Sequence, residues 1–278
     1  MTGIKIYLIL LTLGFLTLLS CSENQPQYEL IKPSVGDRRV LVEEFSGARC
    51  PNCPQGTQEL DNLKSLYGDQ LIIVTVHAGD FAFMYEESRF DFTTEAGDQL
   101  LQLLGNPIGY PSAVINRTKD GQFYQVFSSR WSSLISEALT KENIVTISGD
   151  LQYEPLNRSV TMIFRALPLE NLNGDLKLTV LIKEDNIIDP QADRAAATGV
   201  VMDYKHKNVL RRVLTNPAGD MLGNNPSEFQ PIEKEYSFTL PMENGWWIAE
   251  NCKIVAFLTL EQGAQIEVVQ ALELQLIP

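Results

Sequence analysis

The sequence predicts an α/β domain followed by an all-β domain, and three observations lead to this prediction. Two β-branched runs, residues 39–45 and 71–76, enclose a segment with leucines at helical spacing, which indicates a βαβ unit. From residue 144 onward, short strand-like runs alternate with turn signals and show almost no helical periodicity. An antiparallel sandwich of immunoglobulin-like type has that pattern. A length of 278 residues is enough for two such domains.

The first 20 residues have the features of an export signal: a lysine near the start, an apolar block, and the sequence Leu18-Leu-Ser-Cys21 at its end. A single transmembrane anchor is the alternative. However, two threonines and a glycine interrupt the apolar block, which is shorter than the roughly 20 residues that span a bilayer. We therefore expect a signal peptide over residues 1–20, lipid on Cys21, and a polar tether over residues 21–34. Lipid, rather than protein, would attach the chain to the membrane.

The balance of charges excludes one class of partner. The chain has 22 basic and 35 acidic side chains, a net charge of −13, and no basic stripe along its length. Nucleic-acid binding needs clustered Lys and Arg to contact phosphates, so we expect no nucleic-acid partner. A surplus of acidic side chains is typical of a well-solvated surface and by itself indicates no function.

Residues 35–142 form the predicted first domain. Its predicted elements, in order, are a strand over 39–45, a helix from Cys50 to Leu66, a strand over 71–76, a helix over 94–104, strands over 112–116 and 122–127, and a helix over 129–139. Glu43 and Glu44 are neighbours in the first strand and must point to its opposite faces. Residues 78–106 are an insertion rich in aromatic side chains, which we expect to pack near the cysteines.

Residues 143–278 form the predicted immunoglobulin-like sandwich. Its predicted strands are 144–149, 159–166, 175–183, 209–215, 234–240, 253–261 and 265–276. The exception is Ile188–Lys207, a long excursion in which three consecutive alanines are compatible with a helical turn. Cys252 begins an apolar strand without an evident partner, which predicts a buried and inert thiol. Trp246 and Trp247 form either the edge of the sandwich core or a docking patch.

Two cysteines in the first domain have the spacing that redox chemistry uses. Cys50 and Cys53 form a Cys-x-x-Cys sequence at a predicted helix start, in an exported chain whose compartment allows disulfides to persist. The free amides and the dipole of a helix N-terminus stabilise a thiolate, and Arg49 would act in the same direction. We therefore expect Cys50 to be the nucleophile. Cys53, one turn deeper, would attack the mixed disulfide and release the partner.

Less reactive interpretations of the same residues remain open. A Cys-x-x-Cys pair also occurs in static disulfides and in zinc sites, but zinc needs four ligands and the chain has no second close pair. His77 follows the second strand near the cysteines. It is either a histidine whose ring is hydrogen-bonded at a strand end, a proton relay, or a copper ligand together with Cys50 and Cys53. We expect no resident metal and no cofactor.

At this point the sequence resembles thioredoxin-fold proteins. The resemblance rests on Val42-Glu-Glu-Phe45 before the cysteine pair, on the βαβ unit, and on Gly109-Tyr-Pro-Ser112 before a strand. It implies that Pro111 is cis and shapes a groove beside the disulfide, and that the backbone of Tyr110 pairs with a bound substrate chain. It also implies that Glu44, six residues before Cys50, is a buried carboxylate with a raised pKa that takes the proton of Cys53.

The complete architecture is similar to a narrower group, the outer membrane protein 28-related lipoproteins of the Bacteroidota. The residues that indicate this are the lipidation signal, Phe45-Ser-Gly47, the Cys-Pro-Asn-Cys-Pro run, Val76-His-Ala-Gly79 and Tyr204–Arg211. The resemblance implies a lipid-anchored protein of the cell envelope, and the outer membrane is favoured over the inner membrane. Arg49, Pro51 and Asn52 are expected to line the substrate groove with Tyr110.

Three functions follow from these residues. The first is thiol–disulfide exchange on the thiols or disulfides of envelope proteins, with Cys50, Cys53, Glu44 and Pro111 as the reactive centre. The second is a non-catalytic surface or assembly lipoprotein, whose sandwich domain binds a protein partner that the sequence does not identify. The third, copper delivery through Cys50, Cys53 and His77, is the weakest of the three.

Overall fold

A computed structural model describes residues 37–242 and 246–277. The predicted signal peptide, the predicted lipidation site at Cys21 and the predicted tether lie outside these residues. The part of the chain that the structure describes is mostly β-sheet with few helices, and it belongs to one compact unit. No helix in it is long and apolar enough to cross a membrane.

The predicted βαβ unit is confirmed. Strand β1 (Val40–Ser46) is followed by helix α1 (Cys53–Tyr67) and strand β2 (Leu71–His77), and the two strands pair in parallel from Val40 opposite Leu71 to Ser46 opposite His77. Every residue of both strands is buried. Continuous β-branched and apolar runs of this kind are typical of strands that are covered on both faces.

The next elements complete the first part of the chain. They are helix α2 (Glu95–Leu104), strand β3 (Ser112–Ile115) antiparallel to β1, and helix α3 (Ser128–Thr140). The predicted strand over residues 122–127 was wrong. Asp120 and Phe123 close a tight turn, and only Val126 pairs with β3, through Ala113. The segment therefore forms isolated bridges rather than a strand.

Strands β4 to β13 follow. Their bounds are β4 (Val145–Glu154), β5 (Ser159–Pro168), β6 (Asp175–Glu184), β7 (Ile187–Ala192), β8 (Val200–His206), β9 (Val209–Val213), β10 (Asp220–Asn224), β11 (Ile232–Thr239), β12 (Cys252–Gln262) and β13 (Gln265–Gln275). The prediction did not include β10, a short strand that pairs with β6 through an irregular register next to Gly223.

The excursion at residues 188–207 is a β-hairpin and not a loop with a helical turn, so that prediction was wrong. Strands β7 and β8 pair antiparallel and form a two-stranded sheet of their own. Three alanines are too few to nucleate a helix, and they lie in the turn between the strands. Gly199, with a φ of 74°, closes that turn.

One large sheet runs through both halves of the chain. Its order is β13-β12-β6-β9-β2-β1-β3, and β10 is added beside β6. The seam lies between β2 and β9, where Thr75 is opposite Val209 and the Thr75 amide donates to the carbonyl of Asn208 at 2.7 Å. The predicted domain boundary at residue 142 falls between α3 and β4 along the chain, whereas in space the sheet is continuous.

A second sheet, β11-β5-β4, covers one face of the large sheet. Strand β12 lies between two hydrophobic cores, because its alternate residues pack on opposite faces of the large sheet. Ile254, Ala256 and Leu258 pack in the core shared with β4 and β5, while Val255 and Phe257 pack in the core shared with β1, β2 and α2. Strand β12 is therefore buried on both faces.

A buried ion pair ties β1 to the second half of the chain. The guanidinium of Arg117 donates two hydrogen bonds to the carboxylate of Glu43, at 3.0 and 2.8 Å, and both side chains are fully buried. Arg117 also donates to the carbonyl of Pro217 and lies 4.7 Å from the ring centroid of Phe257. Such a bidentate pair holds its partners in one geometry.

Removing one member of this pair is expected to be costly. The substitution Arg117→Met leaves the Glu43 charge buried without its partner, so we expect a loss of about 3–5 kcal/mol in the free energy of unfolding by urea. The double variant with Glu43→Gln should recover part of that loss. Arg130→Met, which breaks the exposed pair with Asp120, is the control and should leave the unfolding midpoint unchanged. An equal shift in Arg117→Met and the control would contradict the structural role of the buried pair.

Candidate functional site

Cys50 and Cys53 form a disulfide at the start of α1. Cys53 is the first residue of the helix, and Cys50 lies in the turn before it, where its amide donates to the carbonyl of Gly47 at 3.0 Å. A proline directly after Cys53 suits the first turn, since the amide there has no partner inside the helix. Each cysteine is only 1% exposed. The disulfide therefore lies beneath the surface and not on it.

The segment before β3 reaches the disulfide because of a glycine in α1. The peptide bond between Tyr110 and Pro111 is cis. A Cβ at Gly56 would lie 2.5 Å from Cγ of Pro111, closer than real carbon contacts allow. Gly56 follows Cys53 by three residues, on the same side of the helix, so Pro111 can pack one turn beyond the disulfide. The sequence prediction identified Pro111 but missed this glycine.

Glu44 on β1 is fully buried, and its carboxylate contacts α1. Its carboxylate accepts hydrogen bonds from the hydroxyls of Thr75, at 2.9 Å, and Thr57, at 3.3 Å. Thr57 follows Cys53 by four residues and therefore shares its face of α1. Burial raises the pKa of Glu44 to about 7, and the two hydroxyl bonds offset only part of that effect. The sequence predicted the burial and the raised pKa, but not the two threonines.

Arg49 and Tyr110 are held by the aromatic segment that follows β2. The Arg49 guanidinium donates to the carbonyl of Met84, at 2.8 Å through Nη2, and lies 4.7 Å from the ring centroid of Tyr85. The Tyr110 hydroxyl donates to the carbonyl of Ala78 at 2.8 Å, and burial raises the pKa of Tyr110 to about 12. Phe81 packs edge to face on Tyr110, with ring centroids 5.4 Å apart.

The other two residues predicted for the groove lie in the turn between the cysteines. Pro51 is exposed, and Asn52 is partly buried at the N-cap position of α1, where its side chain forms no capping hydrogen bond. Arg49, Pro51 and Asn52 thus flank the cysteines along the chain, and cis-Pro111 packs on α1 at Gly56, three residues after Cys53.

The β7–β8 hairpin packs against the cysteine turn, a contact that the sequence prediction missed. The side-chain amide of Gln191 donates to the carbonyls of Cys50, at 3.0 Å, and Gly47, at 3.1 Å. The amide of Ala192 donates to the carbonyl of Ala48 at 2.7 Å, and the amide of Arg194 donates to that of Pro51 at 2.9 Å. The signal in the sequence was Val200-Val201 before alternating polar and aromatic residues, which is typical of a strand.

A small cavity of about 10 Å³ lies between the hairpin and Cys53, close to the space that one water molecule needs. Both threonines that bind Glu44 line this cavity, as does Cys53. The hairpin contributes Gln191, Tyr204 and His206. Polar side chains from two distant parts of the sequence therefore converge behind the sulfur of Cys53.

His77 belongs to a buried ring cluster. Its ring lies 4.8 Å from that of Phe92 and 5.7 Å from that of His206, measured between centroids. Burial holds the pKa of His77 well below its usual range, and it lowers the pKa of His206 to about 4. Nδ1 of His77 has no hydrogen-bond partner among the described residues. Both rings are therefore neutral at physiological pH.

No group of three or more His, Cys, Asp or Glu side chains within residues 37–242 and 246–277 is arranged to hold a metal ion. Cys50, Cys53 and His77 therefore do not form such a group in the disulfide state. Cys252 is the first residue of β12 and lies in the core shared with β4 and β5, where burial raises the pKa of its thiol.

The two tryptophans before β12 pack inward. Trp247 is buried, and Trp246 stacks on Phe90 with ring centroids 4.4 Å apart. Both indoles lie on the guanidinium of Arg211, which forms a buried ion pair with Glu184. The core interpretation of these tryptophans therefore describes their environment better than a docking patch does.

Comparison with solved structures reveals similar folds. HBP35 of Porphyromonas gingivalis matches with a TM-score of 0.65 at 17% identity, over 86% of this chain and 75% of that chain. At that identity the likeness shows the fold alone. A protein of Agrobacterium tumefaciens matches at 12% identity over 84% of this chain and 93% of that chain, with a TM-score of 0.49. No curated protein matches the sequence significantly.

Comparison with family models is more informative. The model described as outer membrane protein Omp28 matches residues 104–275, which run from the end of α2 to the end of β13. The segment with the disulfide precedes the match, whereas Pro111 and the hairpin lie inside it. More than half of the chain is matched, and the chain therefore belongs to the outer membrane protein Omp28 family.

Proposed function

We propose that this protein is a cell-envelope lipoprotein whose Cys50–Cys53 pair exchanges disulfides with other envelope proteins. The observation behind this proposal is the disulfide at the start of α1, where cis-Pro111 packs at Gly56 and the buried carboxylate of Glu44 is bonded to Thr57 of the same helix. Membership of a family named for the outer membrane supports an envelope location. The export signal and Cys21 support a lipid anchor, for which the outer membrane is favoured over the inner.

The proposed fold for residues 35–142 is thioredoxin-like, followed by an immunoglobulin-like sandwich over residues 143–278. The parallel pair β1–β2 joined by α1, and β3 antiparallel to β1 after a cis-proline, support the first assignment. The sheet β11-β5-β4 facing β6, β12 and β13 supports the second. The partner of the sandwich is a further envelope protein, which the chain itself does not identify.

The exchange reaction passes two electrons between protein sulfurs. In the dithiol form, the Cys50 thiolate attacks a partner disulfide, forms a mixed disulfide and releases one partner sulfur as a thiolate, which takes up a proton. Cys53 then gives its proton to Glu44 and attacks Cys50 Sγ. The mixed disulfide breaks, the second partner sulfur leaves as a thiolate, and the Cys50–Cys53 disulfide forms again. In the opposite direction, a partner dithiol reduces the disulfide by the same steps reversed.

Glu44 is suited to accept that proton. A group with a pKa of about 7 can hold or release a proton near neutral pH, whereas an ordinary carboxylate cannot. The route runs through the small cavity, because Thr57 and Thr75 bind Glu44 and also line the cavity beside Cys53. The raised pKa and the contact chain together support the role of Glu44.

The proposed substrate groove lies around Tyr110, Arg49, Pro51 and Asn52. Exposed aromatic side chains nearby, Phe81 among them, would add apolar contact area for an extended partner chain. The contact of Arg49 with the carbonyl of Met84 holds that aromatic segment against the cysteine turn.

A second function, an assembly lipoprotein that uses the two folds only as binding scaffolds, is favoured by one specific observation. Both cysteines are 1% exposed, and a reactive thiol needs access for its partner. If this function holds, the double variant Cys50→Ala with Cys53→Ala should bind its partners and support the cell as the wild type does.

The exchange function predicts a trapped intermediate. In the variant Cys53→Ala the resolving thiol is missing, so mixed disulfides with envelope proteins should accumulate at Cys50 and disappear on reduction. Non-reducing gel electrophoresis of cells that express the lipid-anchored chain, followed by mass spectrometry, identifies them. Cys50→Ala is the matched control and should trap nothing. Equal amounts of mixed disulfide in both variants, or none in either, would contradict the exchange function.

The state of Glu44 predicts a pH-dependent stability difference. In the folded protein, Glu44 stays protonated up to a pH near its pKa of about 7, whereas in the unfolded chain it loses its proton near pH 4.5. Rising pH between these two values therefore favours unfolding of the wild type. Between those pH values the free energy of unfolding of Glu44→Gln should therefore increase relative to wild type by on the order of 3 kcal/mol. Urea titrations of the oxidised proteins across this range measure the difference, and Glu137→Gln on α3 is the control. A constant difference would show that Glu44 is not a buried, protonated carboxyl.

A further inference from the structure

The close packing of the hairpin on the cysteine turn limits the access of a partner to Cys50. Nucleophilic attack on a disulfide needs a free approach to one sulfur. Here each cysteine is 1% exposed, and Gln191 of β7, more than a hundred residues later in the chain, donates to the carbonyl of Cys50. The covering segment is therefore a separate element and not part of the turn that holds the cysteines.

Main-chain hydrogen bonds attach the end of β7 to the cysteine turn. The amides of Ala192 and Arg194 donate to the carbonyls of Ala48 and Pro51. Ala192 therefore joins two elements. Its amide donates to the cysteine turn, and within the hairpin it lies opposite Val200 of β8. The hairpin occupies the backbone acceptors at this side of the disulfide, which an extended partner chain would otherwise use.

The side chain of Gln191 holds the hairpin against the cysteine turn. This side chain is buried, and its amide donates to three carbonyls: those of Gly47, Cys50 and Ala192. When the hairpin moves away, water can satisfy the carbonyls of Gly47 and Cys50 instead. The bonds to Gly47 and Cys50 therefore belong to the closed state, whereas the bond to Ala192 stays within β7.

The attachment of the hairpin differs between its two ends. At the base, Ile187 packs with Phe92 and Val209 in a small core, and Asp189 accepts a hydrogen bond from the amide of Arg89 at 2.8 Å. Residues 194–199, at the tip, are mostly exposed. Among the described strands, these two pair with each other and not with the large sheet. An element with a fixed base and its own pairing can move as a unit without unfolding the sheet.

We propose that the β7–β8 hairpin is a cover over the Cys50–Cys53 disulfide, fastened by Gln191, and that it opens about its base before a partner reacts at Cys50. The proposal rests on the exchange function in naming a protein partner. The cover itself concerns only access to the sulfur, so it can be tested with a small reductant.

A water-soluble phosphine is the probe. Its phosphorus attacks Cys50 Sγ, the bond between the two sulfurs breaks, and Cys53 leaves as a thiolate that takes up a proton. Water then hydrolyses the phosphorus–sulfur bond, which gives phosphine oxide and the second thiol. The rate of thiol release under excess phosphine, below the concentration of urea that unfolds the protein, measures how often the disulfide is accessible.

The first comparison uses Gln191→Met, which keeps the length of the side chain and removes its amide donors. We expect reduction to be faster by about tenfold or more, because the closed state loses the hydrogen bonds to Gly47 and Cys50. Ile188→Ala is the matched control: Ile188 lies on the same strand but is exposed. It should react at the wild-type rate. Equal rates in wild type and Gln191→Met would overturn the cover.

The second comparison needs no variant. In wild-type protein the logarithm of the reduction rate should rise with low urea, with a slope smaller than the m-value of global unfolding, because only the hairpin becomes exposed. A rate independent of urea would mean that phosphine reaches the sulfur with the hairpin in place. A slope equal to the global m-value would mean that the hairpin does not open separately. Either result overturns the proposal.

Failure of the cover and failure of the exchange function give different results. Mixed disulfides trapped in Cys53→Ala, together with a phosphine reduction rate that does not depend on urea, would support the exchange function and contradict the cover. A urea slope of the reduction rate below the global m-value, with no trapped partner, would support the cover and contradict the exchange function.

Discussion

The structure depends on the two-residue alternation of β1, which sends the carboxylates of Glu43 and Glu44 to opposite faces of a fully buried strand. Burying either charge is unfavourable unless the surroundings compensate for it, and the two faces solve this differently. Glu43 receives a bidentate bond from Arg117. Glu44 receives only two hydroxyl bonds, and its pKa is raised to about 7. One carboxylate is thus part of the framework, and the other is the group to which the proposed exchange function assigns proton transfer.

This arrangement requires the second half of the chain as well as the first. Arg117 is held by the carbonyl of Pro217 and by Phe257 of β12, so the ion pair on β1 is completed by the second half of the chain. The same half provides β9, which extends the sheet beside β2, and the hairpin between β6 and β9, which covers the cysteines. The disulfide, its carboxylate and its cover therefore come from a single continuous sheet and its attachments.

Local patterns were sufficient to predict the centre of the site. Cys50, Cys53 and the helix they open lie within one short stretch, and the positions of Glu44 and Pro111 follow from a resemblance that rests on nearby residues. Glu43 and Glu44 could be assigned to opposite faces from the period of a strand alone. The bounds of β1, β2, α2 and α3 were also within a few residues of those observed.

The remaining features depend on contacts between distant residues, which no local pattern encodes. Gln191 reaches the cysteine turn, and His206 reaches the cavity beside Cys53, from a hairpin that precedes β9 in the chain. The pairing of β9 with β2 consists of one residue pair. The segment before α3 failed as a strand because a tight turn at Asp120 leaves it only one partner in β3. The second half looked like an independent sandwich because its strands are short and regular, although β12 is buried on both faces by two different cores.

The reduction potential of the Cys50–Cys53 pair tests the proposed exchange function most directly. It is obtained by equilibrating the purified protein with dithiol and disulfide buffers of known potential and counting free thiols. An exchangeable disulfide should have a potential above about −300 mV, within the range of known thiol–disulfide oxidoreductases. A potential below about −300 mV, where structural disulfides of secreted proteins lie, would contradict the exchange function and favour a purely structural bond.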